Sequence, residues 1–357
     1  MEKYTELGLV GKGGFGEVKL VELKDNPEVT YVIKTVTGLK HKEDQEESEH
    51  EVRMLQGLQS RFTIGYIESF KVPNGICIVQ EYAENGTLAE HIKEWKAGRR
   101  PSEEGLLDAF VQLVLALNYL HKQKVIHRDL KPANVFIARG DIVKLGDFGL
   151  ARTLSKHTVV AMTRCGTANY ISPEVVEGRP YDVQADMWAL GCILYEIHAL
   201  RRAFDHPAPG KLALLIASGE YNPIQPWEAN SPHVRKLCDS LLAYNPKHRP
   251  NTDAVLALPF IASARGALEA RLVMAANSEA PAQRPMFAPL QAGLGTFAGC
   301  RLATLMSVSD ESDVYNSDNG LSAGPMHSLA LEDLDLPGSN YPHTGSLSDI
   351  STEGKDQ

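Results

Sequence analysis

The stretch His127-Arg128-Asp129-Leu130-Lys131-Pro132-Ala133-Asn134 decides how this chain is read. A carboxylate stands five residues before an amide, with a lysine between them, just after the apolar pair Val125-Ile126. Thirteen residues past Asn134 comes Asp147-Phe148-Gly149. Asn134 and Asp147 are oxygen donors of the kind a hard divalent cation prefers. Asp129 is a carboxylate able to orient or take a proton, and Lys131 is a fixed positive charge beside it. Taken singly, each residue has an ordinary reading, and His127 is read as a structural core histidine. The joint spacing carries the signal.

Composition frames what surrounds this stretch. The chain has 357 residues, 43% hydrophobic and 23% charged, which is ordinary for a soluble globular protein of about two domains. The net charge of −9 argues against a nucleic-acid binder needing a basic face. Most of that charge sits in residues 301–357, where ten acidic side chains face only Arg301 and Lys355. Cysteines 77, 165, 192, 238 and 300 show no paired spacing and read as reduced thiols, with no zinc pattern. The start lacks an apolar signal core. The longest apolar run, Leu106 to Leu120, is broken by Asp108, Gln112 and Asn118 and predicts a buried amphipathic helix, so no membrane span is expected.

Upstream, residues 4–36 alternate in short apolar runs around Gly11-Lys12-Gly13-Gly14-Phe15-Gly16. Glycines suit a loop whose backbone must approach phosphates closely. A dinucleotide fold also uses GxGxxG, but there a helix follows. Here Val18, Leu20 and Val21-Glu22-Leu23 keep a strand period, flanked on the other side by Val10. Tyr31-Val32-Ile33-Lys34 is a strand ending in an ammonium that can reach nucleotide phosphates. Residues 40–58 predict a helix with Glu51, Leu55 and Leu58 on one face; Glu51 is the expected ion-pair partner of Lys34, with Glu47 as its rival. Ile64 to Phe70 and Ile76 to Val79 predict two strands joined by Pro73-Asn74-Gly75. The segment Gln80-Glu81-Tyr82-Ala83 leaves the sheet as a hinge. The backbone of Glu81 and Ala83 would meet an adenine edge, with Gln80 behind and Val32 above. From Leu88 onward the period turns helical and the helical part stops near Phe260.

Through these residues the chain resembles the eukaryotic protein kinases over 4–260. Lys131 and the Gly166-Thr167 pair resemble the serine/threonine branch. The runs Lys131–Phe136, Lys144–Ala151, Tyr170–Glu174, Trp188–Cys192 and Leu200–Phe204 resemble the NIMA-related kinases, as does Gly146 before Asp147. The resemblance implies an α+β fold of two lobes, a small β-rich one over 4–82 and a larger α-helical one over 83–260. Residues 261–357, acidic, serine-rich and poor in large apolar groups, are expected to be disordered. It implies ATP and Mg2+ or Mn2+ as cofactors. Asp129, Lys131 and Asn134 are then catalytic, and Asn134 and Asp147 hold metal. Val10, Gly11, Lys12, Gly13, Gly14, Phe15, Gly16, Val18, Val32, Lys34, Glu51, Gln80, Glu81, Ala83 and Phe136 bind ATP.

The segment Leu150 to Glu174 has the composition of an activation loop. Thr163 is the expected phosphorylated residue, with Arg128 as a cationic partner for its phosphate, and Thr167 is expected to touch Asp129 and Lys131. Phe148 and Gly149 set the metal-binding turn. Asp186 should brace the 127–129 turn, and Arg249 should pair with Glu174. Thr87 and Ala133 stand where arginine-directed kinases have acids, and Leu150 suits a preference for serine. Ser307, Ser309 and Ser312 are further phosphoacceptor candidates. The expected partners are ATP and protein substrates, with a monomeric chain whose acidic tail offers a site for a regulatory partner. Placement is expected in the cytoplasm, with centrosome, cilium or nucleus suggested by family analogy. Three readings compete: a pseudokinase or scaffold, a phosphopeptide-regulated adaptor acting through its acidic tail, and a polo-like kinase, whose Cys165–Tyr170 run is similar but whose C-terminal domain has no room in this tail.

Overall fold

The computed structural model describes residues 2–13, 16–37, 42–73, 75–147 and 168–277, and at Lys12, Gly13, Gly16, 42–45, Glu47, His50 and Glu51 it describes the backbone alone. The alternating N-terminal runs form strands β1 (Tyr4–Gly13), β2 (Gly16–Leu23) and β3 (Asn26–Thr37). After helix α1 (Lys42–Gly57) come β4 (Tyr66–Val72) and β5 (Gly75–Glu81). The five strands make one antiparallel sheet in the order β1-β2-β3-β5-β4. Gly13 pairs with Gly16, so the glycine turn joins two strands and no helix follows it. Gly75 is required in its turn, because a Cβ there would lie 2.1 Å from the Val36 carbonyl oxygen. Helix α1 buries Val52, Leu55 and, just beyond its end, Leu58, the apolar face its spacing predicts.

The larger lobe starts with α2 (Leu88–Lys96) and α3 (Glu103–Lys122), followed by the hairpin β6 (Val135–Ala138) and β7 (Ile142–Leu145). Then come α4 (Pro173–Val176), α5 (Val183–Ala199), α6 (Pro209–Ser218), α7 (Pro232–Leu241), α8 (Thr252–Leu256) and α9 (Pro259–Asn277). Helix α5 is the axle of this lobe: every residue from Asp186 to His198 is buried. A helix buried on all sides must be apolar on all sides, which its sequence is except at a few positions that matter below. Gly191 lets α7 approach α5, since a Cβ there would lie 2.8 Å from the Leu241 Cβ.

The small sheet meets the large lobe through a short backbone seam. The Ile64 amide donates to Leu145 O (2.9 Å), Leu145 N to Phe62 O (2.9 Å), Asn85 N to Ile137 O (2.9 Å) and Ile137 N to Gly86 O (2.8 Å). Glu81 and Gly86 bracket the connection, so the hairpin lies directly beneath the hinge.

One expectation is corrected. The helical part does not stop near Phe260, and residues 261–277 are not disordered. Helix α9 runs to Asn277, buries Ile261 and Leu268, and is pinned by Arg271, which donates to Gly140 O (2.8 Å) and Asp108 Oδ2 (2.9 Å). Its alanine-rich composition reads as low complexity, but two large apolar residues seven apart share a helical face, and α3 covers it. Burial raises the Asp108 carboxyl above its ordinary range despite Arg271. Residues 278–357 lie outside the described set, Ser307, Ser309 and Ser312 with them. No helix among the described residues is long and apolar enough to cross a membrane. Cys77, Cys192 and Cys238 are buried free thiols, and Cys165 and Cys300 lie outside the described residues.

Glu174 and Arg249 meet as expected, in two parallel contacts of 2.7 and 2.8 Å, both side chains essentially sealed from solvent. The guanidinium also lies 4.9 Å from the Trp188 ring centroid. Burial opposes ionisation of Glu174, but the hydrogen bonds and charge of Arg249 outweigh it and hold the carboxyl below its ordinary range. Arg249→Met should therefore leave a buried carboxylate alone and cost about 3–5 kcal/mol, read from the urea midpoint. A second outcome concerns His91 and His198, whose pKa values burial lowers while Asn85 O and Leu194 O accept from their rings. The unfolded chain protonates them first, so stability should fall as pH drops from about 6.5 downward. In thermal melts that fall should be smaller for His198→Leu than for the natural chain.

Candidate active site

The stretch His127–Asn134 folds into a turn that sequence alone could not shape. Arg128 takes φ +68° and Asp147 φ +57°, a left-handed backbone that costs a residue with a Cβ about 1–2 kcal/mol. Buried hydrogen bonds hold it. Asp186 on α5 accepts the amides of His127 (2.9 Å) and Arg128 (3.0 Å), and its Oδ2 also meets His121 Nε2 at 2.9 Å. Asp186 thus braces the turn as expected, and His121 is a third partner that spacing did not reveal. His127 is a buried core histidine as read: Nε2 bonds Gly146 O (3.0 Å), and Nδ1 accepts the Asp129 amide (3.3 Å). It ties the turn to the residue before Asp147.

Asp129 then faces two of its predicted companions. Lys131 Nζ lies 2.7 Å from Asp129 Oδ2, and Asn134 Nδ2 donates to the same oxygen (2.9 Å) and to Asp129 O (2.8 Å). A carboxylate so held is fixed in rotamer and aimed. The NH2 of Asn134 donates to Asp129, and its side-chain oxygen remains as a lone-pair ligand. Its backbone oxygen accepts from Gly146 N (3.0 Å), which sets Asp147 beside it. Two neighbouring oxygen donors, one anionic, fit a hard divalent cation.

A cleft opens between the sheet and the hairpin. Val10, Val18, Val32, Lys34, Gln80, Glu81, Ala83, Phe136 and Asp147 all line it, as the sequence predicted. Lys34 Nζ lies 3.4 Å from Asp147 Oδ1, so cation and carboxylate mark one end. Gly146 is there for space: a Cβ would lie 2.8 Å from both Ile64 Cγ1 and Phe136 Cε2 in the cleft floor. One backbone group of the hinge is engaged within the fold. The Glu81 amide donates to Gly65 O (2.9 Å), so it cannot serve a ligand. Its side chain is also engaged, with Oε2 at 2.9 Å from the buried Lys144 ammonium and accepting Gly65 N (3.1 Å).

The sequence reading missed Ile64, Tyr82, Gly86 and Glu90 as lining residues, and placed Thr87 only in relation to substrate. Of these, Glu90 had a legible signal. Thr87-Leu88-Ala89-Glu90 is a capping box, and both of its reciprocal bonds are present at the start of α2. Glu51 lies on α1, but its side chain and that of Glu47 are outside the described set, as are Gly14, Phe15, Phe148, Gly149, Thr163 and Thr167. Gly11 pairs with Val18, and Lys12, Gly13 and Gly16 continue that ladder. Arg128 packs with its guanidinium 5.9 Å from the Tyr181 ring centroid.

The chain is similar to known proteins. Residues 4–261 match the family model described as protein kinase domain. The chain is 39% identical over 264 residues to serine/threonine-protein kinase Nek1 of Mus musculus, covering 73% of this chain and 22% of that protein. It is 36% identical over 270 residues to serine/threonine-protein kinase nekl-2 of Caenorhabditis elegans, covering 73% of this chain and 75% of that one. Among solved structures, the twitchin kinase region from C. elegans superposes with a TM-score of 0.64 at 24% identity, over 73% of this chain and 46% of that one, a likeness of fold. The chain thus spans only about a fifth of the length of the mouse relative.

The bracing carboxylate is open to a direct check. Asp186→Ala strips the acceptor from two buried amides and a ring nitrogen, and should cost about 3–5 kcal/mol in urea unfolding. An unchanged midpoint would show that the turn holds itself.

Proposed function

We propose, for a chain that belongs to the protein kinase family and to its NIMA-related serine/threonine branch, that it transfers the γ-phosphate of ATP to serine and threonine hydroxyls of protein substrates. The observation that carries this is the convergence of Lys131 and Asn134 on Asp129, at 2.7 and 2.9 Å, beside a cleft closed at one end by Lys34 and Asp147. Phosphoryl transfer asks a protein mainly for positioning and charge compensation, and these are the groups that supply both.

Asp129 orients the acceptor hydroxyl and receives its proton, held to one rotamer by Asn134. Lys131 offsets negative charge growing on the transferred group. Lys34 draws the phosphates to the Asp147 end of the cleft. The backbone at the hinge, the Ala83 amide and the Glu81 carbonyl, holds the base. Mg2+, with Mn2+ as substitute, would be held by Asn134 and Asp147, and when bound it neutralises phosphate charge. Arg128, beside Asp129 in the chain, is a cationic partner for a phosphate on Thr163, which supports control by activation-loop phosphorylation. Placement in the cytoplasm stays with this reading as a proposal.

The test is transfer of labelled phosphate from Mg-ATP to casein by the purified chain, beside Asp129→Asn. The natural chain should transfer phosphate and the variant should lose about a hundredfold or more. Equally low transfer by both would turn the reading toward a scaffold that uses the fold for binding.

A further inference from the structure

Tyr170 shares the wall of one depression with Arg128 and Asp129. Charged groups crowd its other side. Its hydroxyl donates to Oε2 of the buried Glu196 (2.5 Å). Next to it in the chain, Asn169 Oδ1 accepts from Arg202 Nη1 (3.1 Å), which also donates to Asp205 Oδ1 (3.3 Å). The Arg202 side chain is 39% exposed. Burial raises the Glu196 carboxyl above its ordinary range, and the Tyr170 bond and the charges of Arg202 and Lys96 work against that rise. Lys96 thus stands within electrostatic reach of the same carboxyl, although it comes from the last turn of α2.

Three carboxylates near these cations are already engaged. Glu196 is buried against Tyr170, Asp205 meets Arg202, and Glu94 lies 3.8 Å from Arg99. Lys93 and Lys96 are exposed and form no ion pair among the described residues. This face therefore carries an excess of positive charge, in a chain whose net charge is −9. An excess of one sign beside a reacting group favours partners of the other sign and disfavours its own. The arginine adds geometry to charge, because its planar fork of five donors matches a carboxylate.

We infer that Lys93, Lys96 and Arg202 form a docking face for acidic residues flanking the phosphoacceptor, so that the chain selects acidic protein segments as substrates. The inference rests on the proposed phosphoryl transfer and adds a substrate class to it. Position favours the substrate as occupant. A hydroxyl held at Asp129 belongs to a polypeptide, and an extended chain advances roughly 3.3 Å per residue. Residues a few places from the acceptor then pass over Tyr170, beside Arg202 and Lys96. Arg202 is set there by Asn169, whose amide is itself anchored to Phe204 O (2.8 Å). Its charge is held against the segment that adjoins Asp129, while the two lysines supply a more mobile charge around it.

The test measures kcat/KM of the full chain with Mg-ATP on peptides carrying one serine, with Glu, Ala or Lys at each flanking position in turn. At one or more positions the natural chain should prefer Glu to Lys by about fivefold, the combined effect of an attraction gained and a repulsion avoided at an exposed site. Added salt should shrink that ratio. In Lys96→Glu or Lys93→Glu the ratio should fall below one at the same position, because the new carboxylate repels the acid and attracts the lysine. Thermal melts confirm that both variants fold, and loss of a merely structural contact would lower all peptides alike without reversing their order. Equal use of Glu and Lys peptides at every position by the natural chain overturns the inference and leaves the phosphoryl-transfer reading standing. A preference that both folded variants leave unchanged overturns it equally. Where no peptide is phosphorylated, the transfer reading falls, and fluorescence anisotropy of the labelled peptides decides the docking face. Tighter binding of the acidic peptides, reversed in Lys96→Glu, upholds the face, and binding indifferent to peptide charge overturns it.

Discussion

A single buried carboxylate bears the geometry of the site. Asp186 sits in a helix that is buried without a break from Asp186 to His198, where an isolated charge would be heavily penalised. It is satisfied by three donors, two of them backbone amides of the turn that carries Asp129. Those amides point the right way only because Arg128 adopts a left-handed backbone that an exposed loop would relax. The bonds between the acid and these amides therefore offset both the strain in the turn and the burial of the carboxylate. Break those bonds, and Asp129, Lys131 and Asn134 lose their common origin.

From that origin the site spreads through short, mostly buried contacts. His127 carries the turn to Gly146, Asn134 receives the Gly146 amide, and Asp147 stands next in line facing Lys34. Each residue is thus set by its neighbours rather than by its own loop. The same economy appears at the hinge, where Glu81 gives its amide to Gly65 and its carboxylate to Lys144. Of the carboxylates lining the cleft, Glu81 meets Lys144 and Asp147 meets Lys34. Lower down, the Glu174–Arg249 pair fastens the end of the loop region to the helical lobe, stacked over Trp188.

Much of this was legible in the residues. The strand period around the glycine turn excluded a following helix, and the sheet shows strands on both sides. Spacing named Asp129, Lys131, Asn134 and Asp147, because the chemistry needs those groups and few alternatives put them so close in sequence. Asp186 and Arg249 were readable as polar residues embedded in apolar or proline-marked contexts. Three side chains that stayed hidden share a cause. Lys144, His121 and Arg271 act through partners 63, 65 and 163 residues away in the chain, and no local pattern marks such a pairing. Helix α9 was hidden for another reason: two buried residues in an alanine-rich stretch are too few to reveal a face until α3 is there to cover it.

Glu90 shows where the boundary lies. Its role as the third residue of a capping box is local and follows from Thr87-Leu88-Ala89-Glu90 alone. Its presence in the cleft is not local, because it depends on the hairpin rising beneath the hinge and on Thr87 bridging to Phe136. The sequence by itself determined the fold class, the reacting groups and their order, since periodicity and motif spacing are properties of the chain. Tertiary structure decided which cleft carboxylates meet lysines and which is held by a helix cap instead, because electrostatic environment is set by neighbours that only folding assembles.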